Sequence, residues 1–266
     1  MAGTVLLDVA DGVATLTLNR PAALNALSVE MMQDLAAAAH DLAGRKDVAV
    51  VVITGAGDHF MAGGDLKDFA SNLHLSPEAR RATFRAMIEQ YINPTVEVLQ
   101  GLDQPVIAKV RGACAGFGLT LMMGCDLVVS ADSAVFTTAY AAIGLSGDGG
   151  ASYFLPRIVG RRKAAELLLL GDRFDAAEAL RLGLVTRSVP ADLLDAETAK
   201  LCARLRSGPL QTYGEIKRLL AMSHDSQLES QLHSEALAFG RCGGSDDFAE
   251  GVTAFLEKRR PVFKGA

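Results

Sequence analysis

The hydrophobic positions of this chain follow two patterns, and both of them predict strands near the N-terminus. Apolar and polar residues alternate over residues 5–10 and 13–18, on either side of the pair Asp11 and Gly12. Alternation with a period of two is typical of strands, and Asp-Gly is a common hairpin turn. Residues 48–54 form a continuous run of mostly β-branched residues, which indicates a strand that is buried on both faces.

Predicted helices alternate with strands through the middle of the chain. Ser28 is a suitable N-cap for an alanine-rich helix over residues 29–44. Further helices are predicted over residues 77–102, 119–124, 151–158 and 162–170, and further strands over 105–110, 127–130 and 184–189. Repeated alternation of strands and helices predicts an α/β structure built of layers. Beyond Pro190 the pattern is helical only, so we predict a core over residues 1–190 and a helical region over 191–266.

Composition narrows the class of partner. The chain has 266 residues, of which 50% are hydrophobic, and this is enough to bury a sizeable core. The net charge is -5 with the two signs interspersed, which argues against nucleic acid or an anionic membrane as a partner. The first segment carries Asp8 and Asp11 where a signal peptide would be basic and then apolar, and no apolar run is long enough to span a membrane. We therefore expect a cytoplasmic protein that binds neither nucleic acid nor membranes.

The sequence contains no motif that is typical of a metal site. Its four cysteines are scattered without a Cys-x-x-Cys pair, and neither a His-x-x-x-His pair nor a calcium-loop spacing occurs. The cysteines are predicted to be reduced, and the five histidines are interpreted as surface or packing residues. No metal is expected.

Asp148 is the most informative single residue of the chain. It is an isolated carboxylate in a stretch of glycines and apolar residues over 143–153. Burial in such a bend raises the pKa of a carboxyl group, and a base of this kind is suited to take one proton and return it. An aspartate beside glycines is also ordinary turn chemistry, in which its oxygens accept backbone hydrogen bonds. The local sequence is compatible with both interpretations.

Two glycine-rich bends are candidates for binding a negatively charged oxygen. One covers residues 60–66, shortly after a predicted buried strand, and the other covers 112–120, between a strand and a helix. Such bends leave backbone N–H groups unpaired, and two of these groups that converge on one point form an oxyanion hole. Neither bend matches the glycine pattern of a nucleotide-binding loop. Close packing of a helix against a strand would explain the glycines equally well.

Several segments together resemble the crotonase superfamily, which is also called the enoyl-CoA hydratase/isomerase superfamily. They are Asn19-Arg-Pro-Ala-Ala-Leu-Asn-Ala-Leu27, the bend over 60–66, Pro105-Val-Ile-Ala108, the glycines of the 112–120 bend, Cys125-Asp126 and the closing segment 251–258. They follow the order of the family over essentially the whole chain. The resemblance implies a crotonase (ClpP-like) fold of repeated ββα units with a C-terminal helical appendage. It also implies an acyl-CoA thioester as the substrate, no separate cofactor, and a homotrimer or a dimer of trimers.

The resemblance also assigns roles to individual residues. The backbone amides of Ala62 and Phe117 are expected to hold the thioester oxygen. The residues expected to contact the substrate are Ala22, Ala23 and Leu24 along the CoA, Ala62, Gly63, Gly64, Asp65, Leu66, Gly116 and Phe117 in the bends, Thr120 and Tyr140 in the acyl pocket, and Phe255 and Lys258 in the helical tail. The last two would reach the CoA across a subunit boundary, although Lys258 is equally explained as a solvated charge.

The chain departs from the hydratase pattern at two positions. Hydratases of the superfamily use two glutamates to position and activate water, and the matching residues here are Thr120 and Tyr140. Neither side chain acts as a carboxylate base at neutral pH. Asp148 instead matches an aspartate of the phenylacetate-pathway isomerases and of 4-chlorobenzoyl-CoA dehalogenase. The position of the dehalogenase's histidine base is Asn93 here, which disfavours that reaction.

We therefore predict an acyl-CoA isomerase that shifts a double bond from 3-enoyl-CoA to 2-enoyl-CoA. Asp148 would be the catalytic proton shuttle, and the oxyanion hole would stabilise a dienolate. Fatty acid metabolism and the degradation of aromatic compounds are the expected settings. One alternative is water chemistry in the same fold, by an enoyl-CoA hydratase or an Asp148-dependent hydrolase or dehalogenase. The other alternative is a non-catalytic acyl-CoA-binding protein, which the missing glutamates suggest.

Overall fold

The computed structural model describes residues 3–265 and arranges their strands in two sheets. The strands are β1 (Val5–Ala10), β2 (Val13–Leu18), β3 (Val50–Gly55), β4 (Val106–Val110), β5 (Ala113–Ala115), β6 (Leu127–Ala131), β7 (Val135–Thr137), β8 (Phe174–Asp175) and β9 (Arg187–Val189). The larger sheet has six strands in the order β1-β2-β3-β4-β6-β9. β1 and β2 are antiparallel, and the other neighbours in this sheet are parallel. The smaller sheet has the order β5-β7-β8.

Helices occur along the whole of the described chain. They are α1 (Val29–Ala43), α2 (Leu66–Ser71), α3 (Pro77–Met87), α4 (Asn93–Gly101), α5 (Phe117–Met123), α6 (Ala151–Val159), α7 (Arg161–Leu170), α8 (Ala176–Arg181), α9 (Leu194–Arg206), α10 (Leu210–Ser223), α11 (Leu228–Gly243) and α12 (Asp246–Leu256). A π-helical turn, Ile88–Ile92, joins α3 to α4, so the helix predicted over 77–102 is confirmed as one helical run. The N-cap of α1 is confirmed as well, because the Ser28 hydroxyl accepts a hydrogen bond from the Met31 amide at 3.2 Å.

The hydrophobic pattern does not predict five of the short elements. They are α2, α8, β5, β7 and β8, and each has between two and six residues. A periodicity needs more positions than these elements offer. β5 and the start of α5 lie within the second glycine-rich bend, where the sequence predicts a bend alone.

Hydrophobic residues pack against both faces of the larger sheet. On one face, buried residues of β2, β3 and β4 pack with residues of α1, α4 and α5. On the other face, Leu194 and Leu201 of α9 pack with Val50, Ile107 and Val129. Every residue of β3 is consequently buried, as its β-branched sequence predicts. α9 lies beyond residue 190 and yet shares this core, and the division of the chain at that point remains a prediction.

The parallel strands β3 and β4 bring the two glycine-rich bends to one edge of the larger sheet. β3 ends at Gly55 and β4 ends at Val110, and a bend follows each of these ends. Carboxyl ends of adjacent parallel strands meet at the same edge, which is a common place for a binding site. The predicted α/β layering is confirmed. Within residues 3–265, no helix combines the length and the apolar character that crossing a membrane requires.

Candidate active site

The two glycine-rich bends lie side by side and are joined through their backbones. The Met61 amide donates a hydrogen bond to the Ala113 carbonyl at 3.1 Å, and the Ala115 amide donates to the Met61 carbonyl at 2.8 Å. Gly63 and Gly116 both have positive φ, and a Cβ atom on Gly116 would lie 3.2 Å from the Gly63 Cα. The two backbones can approach this closely because neither residue carries a side chain.

Several backbone amides at this junction have no hydrogen-bond acceptor within residues 3–265. One belongs to Phe117, the first residue of α5, and lies in the unpaired first turn of that helix. Two others belong to Gly63 and Gly64 in the first bend. The Ala62 amide, in contrast, donates to the Leu24 carbonyl at 3.0 Å. The prediction that Ala62 supplies an oxyanion donor is therefore corrected, because its hydrogen is already used, and the unpaired amides of the first bend are those of Gly63 and Gly64.

A chain of hydrogen bonds leads from α5 to Asp148. The Tyr140 hydroxyl donates to the Asp148 carboxylate at 2.7 Å, and the hydroxyl oxygens of Thr120 and Tyr140 lie 3.0 Å apart. A phenol has one hydrogen, so Tyr140 accepts from Thr120 while it donates to Asp148. Thr120 and Tyr140 are buried, and Asp148 is half-buried. The two residues that match the hydratase glutamates thus form a donor chain that ends at a single carboxylate.

Burial and hydrogen bonding act in opposite directions on the acidity of Asp148. Burial raises the pKa of this carboxyl group above its ordinary value, and the hydrogen bond from Tyr140 offsets only part of the rise. Burial, together with the neighbouring Asp148 carboxylate, also raises the pKa of Tyr140. Tyr140 therefore stays protonated as a donor, and Asp148 binds a proton more readily than an exposed aspartate does. No lysine or arginine is among the groups that shift the pKa of Asp148.

The loop that carries Asp148 rests on the ring of Phe117. A Cβ atom on Gly149 would lie 2.6 Å from this ring and 3.3 Å from the Ile92 side chain. Only glycine therefore fits at this position without a steric clash. Thr120 lies one turn after Phe117 on α5. α5 therefore connects an unpaired backbone amide, the hydroxyl chain and the carboxylate. The residues that the structure brings together are Gly64, Phe117, Thr120, Tyr140 and Asp148.

The Asp65 carboxylate holds the first bend in place. Its carboxylate accepts hydrogen bonds from the Arg20 guanidinium at 2.8 Å and from the Lys67 amide at 2.9 Å, and the second of these caps α2. Although burial opposes ionisation, these hydrogen bonds hold the pKa of Asp65 below its ordinary value. Each of its carboxylate oxygens accepts a hydrogen bond within the protein, and contact between Asp65 and a substrate remains a prediction.

The segment over residues 19–27 is held against the first bend by the buried side chain of Asn25. This side chain accepts a hydrogen bond from the Arg20 amide at 2.9 Å and donates one to the His59 carbonyl at 2.7 Å. The residues predicted to lie along the CoA are Ala22 and Leu24, which are exposed, and Ala23, which is half-buried. The segment borders the first bend, and its contact with CoA remains a prediction.

The other predicted contacts lie at the surface of the chain. Leu66 begins α2 and is 59% exposed, and Phe255 is 83% exposed. Lys258 is exposed and follows α12 in a left-handed conformation, with a φ of 56°. Within the chain, α12 packs against α11. A role for Phe255 and Lys258 in binding CoA therefore remains a prediction.

An aromatic pair beside the first bend is missing from the sequence-based prediction. A Cβ atom on Gly64 would lie 2.5 Å from the ring of Phe69, and this ring packs against Phe84 with the centroids 5.3 Å apart. The signal in the sequence is weak, because Phe69 belongs to a six-residue helix that shows no periodicity. Its closeness to the first bend along the chain is the one feature that points to it.

The groups at this junction suit chemistry at a carbonyl. Gly64 and Phe117 offer amide hydrogens to an oxygen that becomes negatively charged, and Asp148 offers a carboxylate that can move a proton. Among residues 3–265, no group of three or more histidine, cysteine, aspartate or glutamate side chains is arranged to hold a metal ion.

Comparison with known proteins places this geometry in a family. The enoyl-CoA hydratase/isomerase family matches residues 8–266. A 1,2-epoxyphenylacetyl-CoA isomerase from Escherichia coli is 38% identical over 98% of both chains. A protein named "Probable enoyl-CoA hydratase" from Rhodobacter capsulatus is 35% identical over 98% of both chains. The crystal structure of an enoyl-CoA hydratase from Polaromonas sp. JS666 has a TM-score of 0.91 at 33% identity and covers 98% of this chain and 100% of that one.

The chain belongs to the enoyl-CoA hydratase/isomerase family and is an enzyme of that family. The predicted crotonase fold is confirmed over the whole chain. An acyl-CoA thioester as the substrate is consistent with the enzymes of the family. Its relatives are named both as hydratases and as isomerases, so the family leaves the reaction to be argued from the site.

Proposed function

We propose that the protein is an enoyl-CoA isomerase, which moves the double bond of a 3-enoyl-CoA into conjugation with the thioester. The observation that carries this proposal is the single half-buried carboxylate of Asp148, to which Tyr140 donates at 2.7 Å. The hydroxyl groups of Thr120 and Tyr140 stand where water activation would need glutamates. A shift of a double bond needs only one group that removes a proton and returns it.

In the proposed reaction the thioester oxygen accepts hydrogen bonds from the amides of Gly64 and Phe117. Asp148 removes a proton from the α-carbon, and the electron pair of the C–H bond spreads over the oxygen, the α-carbon and the γ-carbon. The protonated Asp148 then gives this proton to the γ-carbon, and the double bond forms between the α- and β-carbons. Substrate and product are isomers, so no water is consumed.

The oxyanion donors and the base contribute to the rate in different ways. Each donor lowers the barrier by about 3–4 kcal/mol, because it meets the charge that develops on the thioester oxygen. A positioned base adds roughly 100- to 10,000-fold. The raised pKa of Asp148 makes its ionised form a stronger base towards a weakly acidic C–H bond. The donors therefore stabilise the dienolate, and Asp148 determines where the proton goes.

The relatives support two reactions, and the site favours one of them. The Escherichia coli relative is named an isomerase, and the Rhodobacter capsulatus relative is named a hydratase. Addition of water by two acids is disfavoured here, because threonine and tyrosine hydroxyls are not carboxylate bases at neutral pH. The alternatives are therefore a reaction that uses water and a protein that binds CoA thioesters without turnover, and the test below distinguishes them from isomerisation.

The test is turnover of 3-hexenoyl-CoA in oxygen-18-labelled water, with the product analysed by mass spectrometry. We expect a conjugated product of unchanged mass that carries no label. Asp148→Asn is expected to lower kcat by at least about 100-fold, the contribution of a positioned base, and to leave the affinity for CoA nearly unchanged. The matched control is Asp132→Asn, at an exposed aspartate, which should retain the wild-type rate.

Two results would contradict the proposal. A product that contains oxygen-18 would show that the enzyme adds water or hydrolyses the thioester. A protein that binds CoA thioesters and turns over none of a panel of 3-enoyl- and 2-enoyl-CoAs would be a non-catalytic binder.

We also propose that the enzyme is a homotrimer or a dimer of trimers in the cytoplasm. Helices α11 and α12 support assembly, because large apolar side chains are exposed on them, with Phe239 at 80% and Leu256 at 75% exposure. Contiguous apolar surface of this kind commonly marks an interface. Light scattering should give the mass of three or six chains, and the mass of a single chain would contradict this assembly.

A further inference from the structure

An aromatic ring fills the space beside the Gly64 amide. A Cβ atom on Gly64 would lie 2.5 Å from Cζ and 2.8 Å from Cε2 of Phe69. Phe69 is half-buried and packs edge-on against Phe84, with an angle of 63° between the ring planes. Gly64 is the proposed oxyanion donor of the first bend, so this pair forms a wall next to the proposed position of the thioester.

Three contacts hold α2, and hence Phe69, in place. Asp65 caps the helix and accepts a hydrogen bond from Arg20 in the 19–27 segment. Asp68 accepts a hydrogen bond from the Val29 amide at the start of α1, at 2.9 Å. A helix of six residues is too short to be stable alone, so these tertiary contacts determine where it lies. The ring of Phe69 is thus a fixed part of the site.

The helical run from α3 to α4 extends this wall towards Asp148. Phe84 belongs to the aromatic pair at one end, and Ile92 lies 3.3 Å from the Cβ position of Gly149 at the other end. Because Gly149 follows Asp148, the two ends of the wall mark the oxyanion donor and the base. Ile88 lies between them and is half-buried against the core. Ile92 is fully buried and Ile88 packs against the core, so the part of this wall that a bound acyl group can contact is the half-buried aromatic pair.

We infer that Phe69, supported by Phe84, is a specificity-determining residue that favours acyl groups carrying an aromatic ring over straight alkyl chains. The inference rests on the proposed function, because it places the acyl group between Gly64 and Asp148. Two aromatic rings prefer edge-to-face or offset contact, and this preference adds to the burial of apolar area. Leucine in place of Phe69 keeps an apolar side chain and removes the ring. This substitution therefore separates the contribution of aromatic contact from that of buried apolar area.

The test is the binding of two saturated thioesters, phenylbutanoyl-CoA and hexanoyl-CoA, measured by calorimetry. We expect the wild-type protein to prefer the phenyl compound and Phe69→Leu to lose about three- to tenfold of this preference, the size of one aromatic contact. Phe84→Leu should lose a smaller part, since Phe84 acts through Phe69. The matched control is Phe174→Leu, which removes one ring of the separate stack with Phe136 and should keep the preference.

Either of two results would overturn the inference. One is a wild-type protein without a preference, and the other is an equal loss of affinity for both thioesters in Phe69→Leu. Circular dichroism checks that each variant is folded, and Phe84→Leu carries the test alone if Phe69→Leu does not fold. Saturated thioesters cannot be isomerised, so the binding ratio tests specificity whatever the reaction is. Failure of turnover in labelled water contradicts the proposed function, whereas an unchanged binding ratio contradicts the specificity of Phe69.

Discussion

Tyr140 influences how strongly Asp148 holds a proton. Burial raises the pKa of the Asp148 carboxyl group, and the hydrogen bond that Tyr140 donates at 2.7 Å lowers it towards its ordinary value. In the proposed reaction Asp148 removes a proton only when it is ionised, so we expect the rate to rise with pH as this carboxyl group loses its own proton. The rising limb of kcat/KM against pH therefore reports the pKa of Asp148 in the free enzyme.

Tyr140→Phe is expected to move this rising limb to higher pH, because the ionised carboxylate loses a donor that stabilises it. The shift is measured from pH–rate profiles through the acidic range. Tyr153→Phe removes a hydroxyl from a ring that is 42% exposed and should leave the limb where it is. A limb that stays in place or moves to lower pH in Tyr140→Phe would show that the hydrogen bond does not favour the ionised form.

Gly64→Ala is expected to lower the free energy of unfolding by about 1–3 kcal/mol, because its Cβ would overlap the ring of Phe69. Combining it with Phe69→Leu should restore part of this loss, since the two residues are in contact. Urea unfolding measures both effects. Gly101→Ala is the control, because a Cβ there meets no atom within 4 Å and alanine favours the helix. A Gly64→Ala variant as stable as the wild type would argue against the Phe69 contact.

At the residue scale the sequence predicts chemical types better than it predicts which backbone atom acts. Asp148, Thr120 and Tyr140 follow from residue type and from resemblance to a family. The choice of Gly64 over Ala62 as the donor depends on the Leu24 carbonyl, which takes the Ala62 amide. No local pattern reports such a partner, because the contact joins two distant segments of the chain.

At the scale of elements, the buried side chain of Glu215 joins α10 to α11. Arg241 donates to both oxygens of this carboxylate at 2.7 Å, and Arg218 lies 2.9 Å from one of them. The hydrogen bonds from Arg241, together with the charge of Arg218, lower the pKa of Glu215 from 4.5 to about 2. The ion pair of Glu215 and Arg241 therefore links the stability of the helical region to pH.

The stability that Glu215 contributes is complete above pH 4.5 and is lost as the pH falls towards about 2, because the unfolded chain binds the proton first. Glu215→Gln is expected to lower the free energy of unfolding at neutral pH by about 1–3 kcal/mol and to flatten its pH dependence in this window. Urea unfolding at neutral and acidic pH measures both. Glu97→Gln, at an exposed position, should behave as the wild type. Parallel acid profiles for Glu215→Gln and the wild type would refute the linkage.

Length separates the elements that can be predicted from those that cannot. β3 and the run from α3 to α4 are long enough for their composition and periodicity to be read. α2 has six residues, and its cap, Asp65, is held by Arg20 from 45 positions away. Its existence depends on that tertiary contact, which propensity does not report.

At the scale of the whole molecule, three loops that are distant in the sequence meet at one place. Parallel strands carry the bends over 60–66 and 112–120 to the same edge, and the loop over 144–150 is held on the Phe117 ring through Gly149. The alternation of strands and helices predicts the class of fold, and the resemblance indicates which loops meet. The aromatic wall formed by Phe69 and Phe84 could not be predicted, because it arises only when α2 packs against α3.

The central claim is that one carboxylate moves a proton from the α-carbon to the γ-carbon of the same molecule. The most direct measurement uses a 3-enoyl-CoA deuterated at its α-carbon, in ordinary water, with nuclear magnetic resonance to locate the deuterium in the product. We predict a conjugated 2-enoyl-CoA that carries deuterium at its γ-carbon. A hydrated product, or a conjugated product whose γ-carbon has gained hydrogen from the solvent alone, would contradict the claim.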